Sequence, residues 1–332
     1  MKMKRLPSAG HSYGEYSWLI MLDVIICLAF INLIMVFYYG LHALLITVVS
    51  VLSCIIFESA ACFVMKGKNT IPDLSAVVTG MILAAICPAS APLWLPAVGG
   101  AFAIIICKIP FGGRGNNIFN PAAAAWLFMS LSFPTVMSVY PDPVVFSYDG
   151  GAALASASPL SDVALGITPN ISSFELAFGR FPGPMGATPI VVLAACAIYL
   201  IIRRTAPFST MLSMLVACGA IAVIFPRLGS RLDSAVFELS LGCIVFAAIF
   251  MATDPVTSPK TTAGRILFGI GCGVITMLFR YFGSTLYEGA PAAILIMNCL
   301  SKALDEFVSD FNIGWVKGIL KRKAGAAENA ES

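Results

Sequence analysis

The sequence predicts an all-α protein that crosses a membrane about ten times, and three observations lead there. Hydrophobic residues make up 59% of the 332 and charged residues 11%, with a mean hydropathy of +0.91. Soluble domains carry about 25% charged residues, so this chain cannot cover itself with a water-facing surface and its apolar residues must meet lipid. Second, the apolar residues gather in runs near the ~20 residues that a span requires. Third, the basic residues sort to one side of the resulting topology. Disorder is excluded by the same composition. A net charge of +3 is too small for a nucleic-acid footprint.

Taken in order, residues 1–17 are polar and basic and are expected in the cytoplasm, with no cleavable signal peptide visible. A first membrane half, 18–138, holds Trp18–Tyr38, Leu41–Met65, Leu74–Cys87, Leu93–Lys108 and Pro121–Met137. The connection 139–188 is rich in Gly, Ala, Ser and Pro and is expected outside. A second half, 189–304, holds Pro189–Ile202, Phe208–Phe225, Ala235–Thr253, Gly264–Phe282 and Leu286–Leu304. Residues 305–332 form a cytoplasmic tail. Within it, Asn312–Lys323 spaces Ile313, Val316, Ile319 and Leu320 as a helix beside Lys317, Lys321, Arg322 and Lys323, which suits the anionic inner leaflet or a solubilising end.

Leu74–Cys87 and Pro189–Ile202 are short enough to be re-entrant. Charge decides for spans. With ten spans, 16 of the 20 basic residues fall inside and only Arg180, Arg227, Arg231 and Arg280 outside, the skew of the positive-inside rule. Dropping either run inverts everything after it. Five spans per half oppose the halves in orientation if they are repeats, an inverted-repeat architecture with its working site near their interface.

The ten cysteines all lie in apolar runs and none forms C-x-x-C, so they read as small buried hydrophobes rather than a self-contained metal or cluster site. His11 and His42 are the only histidines, and H-E-x-x-H, G-x-S-x-G and the Walker A loop are absent. Three carboxylates lie within spans, where ionisable groups are costly and usually functional. Asp23 and Glu238 sit within a turn or two of span ends, where a carboxylate readily pairs or reaches water. Glu58 is deeper, and all three are candidates for an ion or proton path.

Two loop motifs are dense in turn-formers. Gly112–Asn117 leads into Asn120-Pro121, where Asn120 can cap a helix that begins at Pro121; the alternative is an anion site at that helix start. Asp254 before Pro255 is a natural helix stop. Gly269 and Gly273, at G-x-x-x-G spacing, suit close helix packing.

These motifs carry a resemblance. N-x-F-N-P-A at Asn117–Ala122 and F-M-A-T-D-P-V-T-S-P at Phe250–Pro259, followed by Gly264–Gly269, are similar to the signature of the NqrB/RnfD family. Ser75–Gly80, Glu288-Gly289 and Met297-Asn298 resemble further motifs of that family, and the resemblance runs from about Trp18 to Asp305. Length and the short N-terminal region favour the RnfD branch. The resemblance implies a membrane component of an Rnf complex, which couples ferredoxin–NAD oxidoreduction to Na+ or H+ movement. Membrane and iron–sulfur subunits would be its partners. It also implies FMN esterified to a hydroxyl of the outer loop by a flavin transferase, a second non-covalent flavin such as riboflavin, and cofactor contacts at Asn120 and Asp254.

Two hydroxyls compete for the FMN ester. Ser158, in Ala157-Ser158-Pro159-Leu160 after Asp149-Gly150, matches the family's attachment motif by loop position but is serine where the family has threonine. Thr188 is the threonine of the chain's one Gly-Ala-Thr, yet abuts the next span. Tyr140, Phe146, Tyr148, Phe174, Phe178 and Phe181 can stack on a flavin or anchor the loop at the interface. The rival functional readings are a non-redox secondary transporter or channel of urea-transporter-like fold, which the same ten spans would suit, and a purely structural assembly component.

Overall fold

The computed structural model describes residues 17–64, 73–111, 116–143, 155–156, 158–283 and 288–328, with backbone alone at 17, 155–156 and 311–328. Gly112–Gly115, Phe146, Tyr148, Asp149-Gly150, Ala157 and the predicted start of the last span at Leu286 lie outside the described residues.

The described chain is helical almost throughout. The first set is α1 (Ser17–Tyr39), α2 (Leu41–Val64), α3 (Ser75–Ala85), α4 (Trp94–Ile105) and α5 (Pro121–Ser132), followed by a short α6 (Pro134–Met137). The second is α9 (Ile190–Ile202), α10 (Phe208–Ile224), α11 (Arg231–Ser240), α12 (Ile244–Phe246), a π-helical turn Ala247–Met251, α13 (Thr262–Phe282) and α14 (Ala290–Glu328). Among the described residues, Trp18–Tyr39, Leu41–Val64 and Thr262–Phe282 are long and apolar enough to cross a membrane, and α11 with Ile244–Met251 makes a fourth if its 63° bend is one broken span. α3, α4, α5, α9 and α10 are shorter apolar helices. Leu22, Ile26, Phe30, Leu33 and Phe37 form an exposed stripe on α1 at helical spacing, as a lipid-facing side requires. The chain is a multi-pass membrane protein.

Both sets repeat one neighbour order. α2 packs on α3 and α4, and α4 on α5; α10 packs on α11 and α13, and α13 on α14. α1 against α9 and α5 against α14 join the sets. The Gly269–Gly273 pair sits where α13 meets α10: a Cβ on Gly273 would stand 2.7 Å from Ala217 Cβ and from the Met214 carbonyl, and one on Gly269 would overlap Ser213. These glycines set the helix spacing.

Three expectations need correction. The run Pro121–Met137 is not one helix, because Pro134 lacks an N–H and restarts the chain as α6. The run Ala235–Thr253 is broken at Leu241–Cys243, where Gly242 adopts φ +74°. The tail at Asn312–Lys323 is helical as expected, but as a continuation of α14 rather than a separate element.

The connection between the sets is folded. A two-residue pairing of β1 (Tyr140–Pro141) with β2 (Ala155–Ser156) precedes α7 (Pro159–Ala164) and α8 (Ser173–Phe178). Leu160, Val163, Leu176 and Phe181 form a small core with Leu228 and Leu241, docking this segment on the end of α11. A capping box between Ser172 and Glu175 starts α8, and the Ser172 N–H and hydroxyl hold the Glu175 carboxyl below its ordinary range.

Candidate functional site

Asn120 is the hub. Its extended backbone precedes Pro121 at the start of α5, and its Oδ1 accepts from the N–H groups of Ala122 (3.1 Å) and Ala123 (3.2 Å). The capping role is therefore filled, but the side chain does more. Nδ2 donates to the Met251 carbonyl (3.2 Å) at the end of the π-helical turn, and the Asn120 N–H donates to Asn298 Oδ1 on α14 (3.0 Å). Asn298 Nδ2 then donates to the Thr257 carbonyl (3.3 Å). Both loop motifs and the last helix are tied together by two amides. Asp254 closes the second motif: its carboxylate accepts from the Val256 N–H (3.2 Å) and the Thr257 hydroxyl (3.1 Å). Burial pushes its carboxyl up, against those two hydrogen bonds.

Beside this knot lies a cavity of about 80 Å³ between α1, α3, the start of α5, the end of α9 and the π-helical turn. Ser75, Lys108, Asn117, Asn120, Thr205 and Asp254 supply its polar lining. Among the described residues, the buried Asn117 Oδ1 has no hydrogen-bond partner. Lys108 Nζ stands 2.7 Å from each Glu58 oxygen and 2.7 Å from Ser75 Oγ, and Ser75 in turn donates to Asp73 (2.6 Å). The side chains of Lys108 and Glu58 are 2% and 4% exposed, so this is a fully desolvated pair. Thr205 reaches the cavity from the other side and donates to Asp23 (2.9 Å), which also accepts from Arg203 Nε (3.1 Å) and the Tyr199 hydroxyl (3.1 Å). Glu58 and Asp23 thus each reach the cavity through one partner.

Glu238 belongs to a different cluster. Arg280 on α13 donates through Nη1 to the Glu238 carboxylate (2.9 Å) and carbonyl, and through Nη2 to the Leu241 carbonyl (2.7 Å). Arg227 pairs with the other Glu238 oxygen (3.5 Å) while stacking on Tyr281. Glu288 accepts from the Cys243 N–H (2.7 Å), so the broken segment Ile244–Met251 is held at its start by Glu288 and at its end by Asn120.

The two flavin-acceptor candidates differ in access. Ser158 is half-buried as the N-cap of α7, its Oγ accepting from the Leu160 N–H (3.3 Å). Thr188 is fully buried, its hydroxyl beside that of Tyr39 and its methyl pressed on Gly183. Neither lines the cavity. Of the candidate aromatics, Tyr140 and Phe181 are buried, whereas Phe174 and Phe178 are exposed with ring centroids 4.5 Å apart. Among the described residues, no three His, Cys, Asp or Glu side chains form a metal-holding group.

Lys108, Asn298 and Arg280 escaped the reading of the sequence as site residues. For Asn298 the signal was present, as a polar residue within an apolar run and one half of the Met297-Asn298 pair that resembles a family motif.

Comparison with known proteins places the chain in a family. Residues 12–314 match the NQR2, RnfD, RnfE family. The chain is 33% identical over 326 residues to the D subunit of the Na(+)-translocating ferredoxin:NAD(+) oxidoreductase complex of Acetobacterium woodii, covering 97% of this chain and 98% of that protein. It is 32% identical over 292 residues to the D subunit of the proton-translocating ferredoxin:NAD(+) oxidoreductase complex of Clostridium ljungdahlii, with 84% and 86% covered. Similarity extends, at 34% identity over 253 residues, to the B subunit of the Na(+)-translocating NADH-quinone reductase of Chromohalobacter salexigens, with 74% and 60% covered. The motifs that meet at Asn120 thus sit in a chain that belongs to the NQR2, RnfD, RnfE family of ion-translocating oxidoreductase components.

Proposed function

We propose that this chain is the RnfD-type membrane component of an Rnf complex, coupling electron transfer between ferredoxin and NAD to Na+ or H+ translocation with flavin as the relay. The observation that carries the reading is near full-length similarity to the two ferredoxin:NAD(+) oxidoreductase relatives, together with the convergence of the family motifs on one buried cavity. Those two relatives are named for different ions, so the ion stays either Na+ or H+. Other Rnf subunits and a flavin transferase are the partners this implies. In the proposed orientation both termini and the Asn120 knot lie towards the cytoplasm, and α7 and α8 lie outside.

The residues present offer flavin partners at two places, a hydroxyl in the loop and a polar wall at the cavity. The cavity's volume of about 80 Å³ is below the ~300 Å³ or more that cofactor pockets enclose, so a ring enters there only as the cavity widens. Ser158 is half-buried at the start of α7, whereas the fully buried Thr188 would have to break its packing to take an ester. Ser158 is therefore our candidate acceptor of FMN. At the cavity, the orphaned Asn117 amide oxygen is a ready acceptor for a ring N–H, with Asn120 and Asp254 holding the wall behind it. Flavin, when bound, supplies a centre that takes electrons singly or in pairs. The chain's own part is to position it and to exclude water from the surroundings. Glu58 is our candidate for the ion path, because its carboxylate meets the cavity through Lys108.

Three measurements test this. Protein co-produced with a flavin transferase, denatured and run on a gel, should fluoresce; Ser158→Ala should abolish the signal and Ser158→Thr should keep it. A dark wild type, or a fluorescent Ser158→Ala, overturns the acceptor assignment. Affinity purification should bring membrane and iron–sulfur subunits; a chain that purifies alone and transports a solute without electron flow would be the transporter alternative. In the reconstituted complex, Glu58→Gln should preserve assembly and weaken ion transport per electron; unchanged transport would make Glu58 structural.

A further inference from the structure

A second cavity, of about 300 Å³, opens where the C-terminal end of α9 meets the N-terminal ends of α10 and α13. Arg204 and Arg265 line it together with Ile201, Thr205, Phe208 and Ser258. Among the described residues neither guanidinium forms an ion pair. Arg265 spends only its Nε, on the Pro259 carbonyl (2.9 Å). Asp305 is the nearby acid that acts on Arg265, and its oxygens already accept from Lys260 and Thr261. The lining hydroxyls are also committed, since Thr205 donates to Asp23 and Ser258 to the Asp254 carbonyl. What the cavity offers a ligand is cationic charge from two planar, multi-donor groups. That is the chemistry of phosphate recognition.

Arg204 is at an unusual position for arginine. α9 ends with the Thr205 N–H bonded to the Leu200 carbonyl (2.9 Å) and the Arg204 N–H to the Ile201 carbonyl (3.0 Å), the two bonds of a Schellman cap. The residue that must turn left-handed in that cap is Arg204, at φ +58°. Glycine takes this conformation freely, whereas in other residues the Cβ crowds the carbonyl oxygen that follows. A side chain is kept here at a conformational cost.

The apolar surroundings say what the phosphate is attached to. Phe208 and Leu212, one turn apart on α10, are 53% and 45% exposed, and Ile266 and Ile270, one turn apart on α13, are 40% and 42% exposed. Phe208 lines the cavity, Ile266 follows Arg265 in the chain and α10 packs on α13, so an exposed apolar pair begins at the cavity on each of the two helices. A cationic head position continued by an apolar wall matches a phospholipid, and a basic pocket between membrane helices suits an anionic headgroup. We propose that this cavity is a binding site for the phosphodiester headgroup of an anionic phospholipid, with its acyl chains along α10 and α13. The proposal is independent of the flavin and electron-transfer reading.

Native mass spectrometry of the purified full-length chain, titrated with phosphatidylglycerol and with phosphatidylcholine of the same acyl chains, tests it. Phosphatidylglycerol should bind about tenfold or more tightly than phosphatidylcholine, each arginine contributing roughly a fivefold share. Arg265→Gln should lose that share, and Arg265→Lys should retain most of it. Arg204→Gly is the safeguard against misfolding, because glycine suits φ +58°. It should weaken phosphatidylglycerol binding while leaving thermal stability in phosphatidylcholine unchanged or raised. Equal affinity for the two lipids overturns the proposal, as does a preference that survives Arg204→Gly combined with Arg265→Gln. Inorganic phosphate binding as tightly as phosphatidylglycerol would assign the site to a soluble anion and overturn the lipid.

Discussion

Lys108, just beyond α4, and Arg280, near the end of α13, occupy corresponding places in the two helix sets, since α4 sits between α2 and α5 as α13 sits between α10 and α14. Both are almost fully buried against a carboxylate. Their partners differ in kind. Lys108 spends its three donors on side chains, two on Glu58 and one on Ser75. Arg280 reaches the Glu238 carboxylate but also the carbonyls of Glu238 and Leu241, where α11 ends in the 63° bend. The ammonium is a compact point charge that balances another charge; the planar guanidinium spreads its donors over a backbone that has left its helix. One pair presents its lysine to a cavity, and the other holds a break in place.

The largest expected effects come from removing each cation. Arg280→Met leaves Glu238 only the 3.5 Å pair with Arg227 and frees two carbonyls, and should cost the ~3–5 kcal/mol typical of breaking a buried pair. Lys108→Met should fall at the lower end of that range. Thermal unfolding of the detergent-solubilised chain measures both. The comparison is sharpened by neutralising both partners. Glu58→Gln with Lys108→Met should recover most of the lost stability, because the two opposite charges of the buried pair leave together. Glu238→Gln with Arg280→Met should not, because the Glu238 and Leu241 carbonyls still lack donors. Equal recovery by the two double variants would break the distinction.

Gly242 probes the break directly, at a smaller magnitude. It adopts φ +74°, and a Cβ there would stand 2.7 Å from Arg280 Nη2 and overlap the Glu288 carboxylate. Gly242→Ala should therefore cost about 2 kcal/mol, from left-handed strain and the displaced ion cluster together. A neutral Gly242→Ala would mean that the bend does not depend on the close approach of Arg280 and Glu288.

The same contrast separates what could be read from the sequence from what could not. α1, α2 and α13 are legible because each is a run of apolar residues long enough to span. The bend at Leu241–Cys243 is not, since it falls inside an apolar run and hydropathy carries no direction. It is made by Arg280 and Glu288, which lie 39 and 45 residues from the groups they bind. At the site, Asn120 and Asp254 announce themselves through the prolines that follow them. Their meeting depends on Asn298, 178 residues from Asn120. Lys108 misleads for a physical reason: a lysine at a helix end usually snorkels to the interface, whereas this one turns inward to a carboxylate 50 residues away.

The smallest expected effect concerns a carboxylate outside both buried pairs. Asp305, just beyond the predicted end of the last span, accepts from the Lys260 N–H (2.7 Å), the Thr261 N–H (2.9 Å) and the Thr261 hydroxyl (2.5 Å), latching the start of α13 at the end opposite Arg280. Burial alone would raise its pKa. The three hydrogen bonds and the nearby Arg265 outweigh that and hold the carboxyl below its ordinary value of 3.8. A carboxyl held low in the folded state contributes stability that is fully present above the unfolded value and is lost as pH falls through the folded one. Asp305→Asn retains one acceptor but faces the Lys260 N–H with a donor, and should cost about 1 kcal/mol at neutral pH, less than a buried charge-assisted bond because the site is partly solvated. The difference in melting temperature between wild type and Asp305→Asn should stay constant from pH 7 down to about 5, then close as the pH falls below 3.8. Other carboxylates protonate in both proteins and cancel in the difference. A gap that persists in acid would mean that Asp305 holds α13 by shape rather than by charge, and would set it apart from both buried pairs.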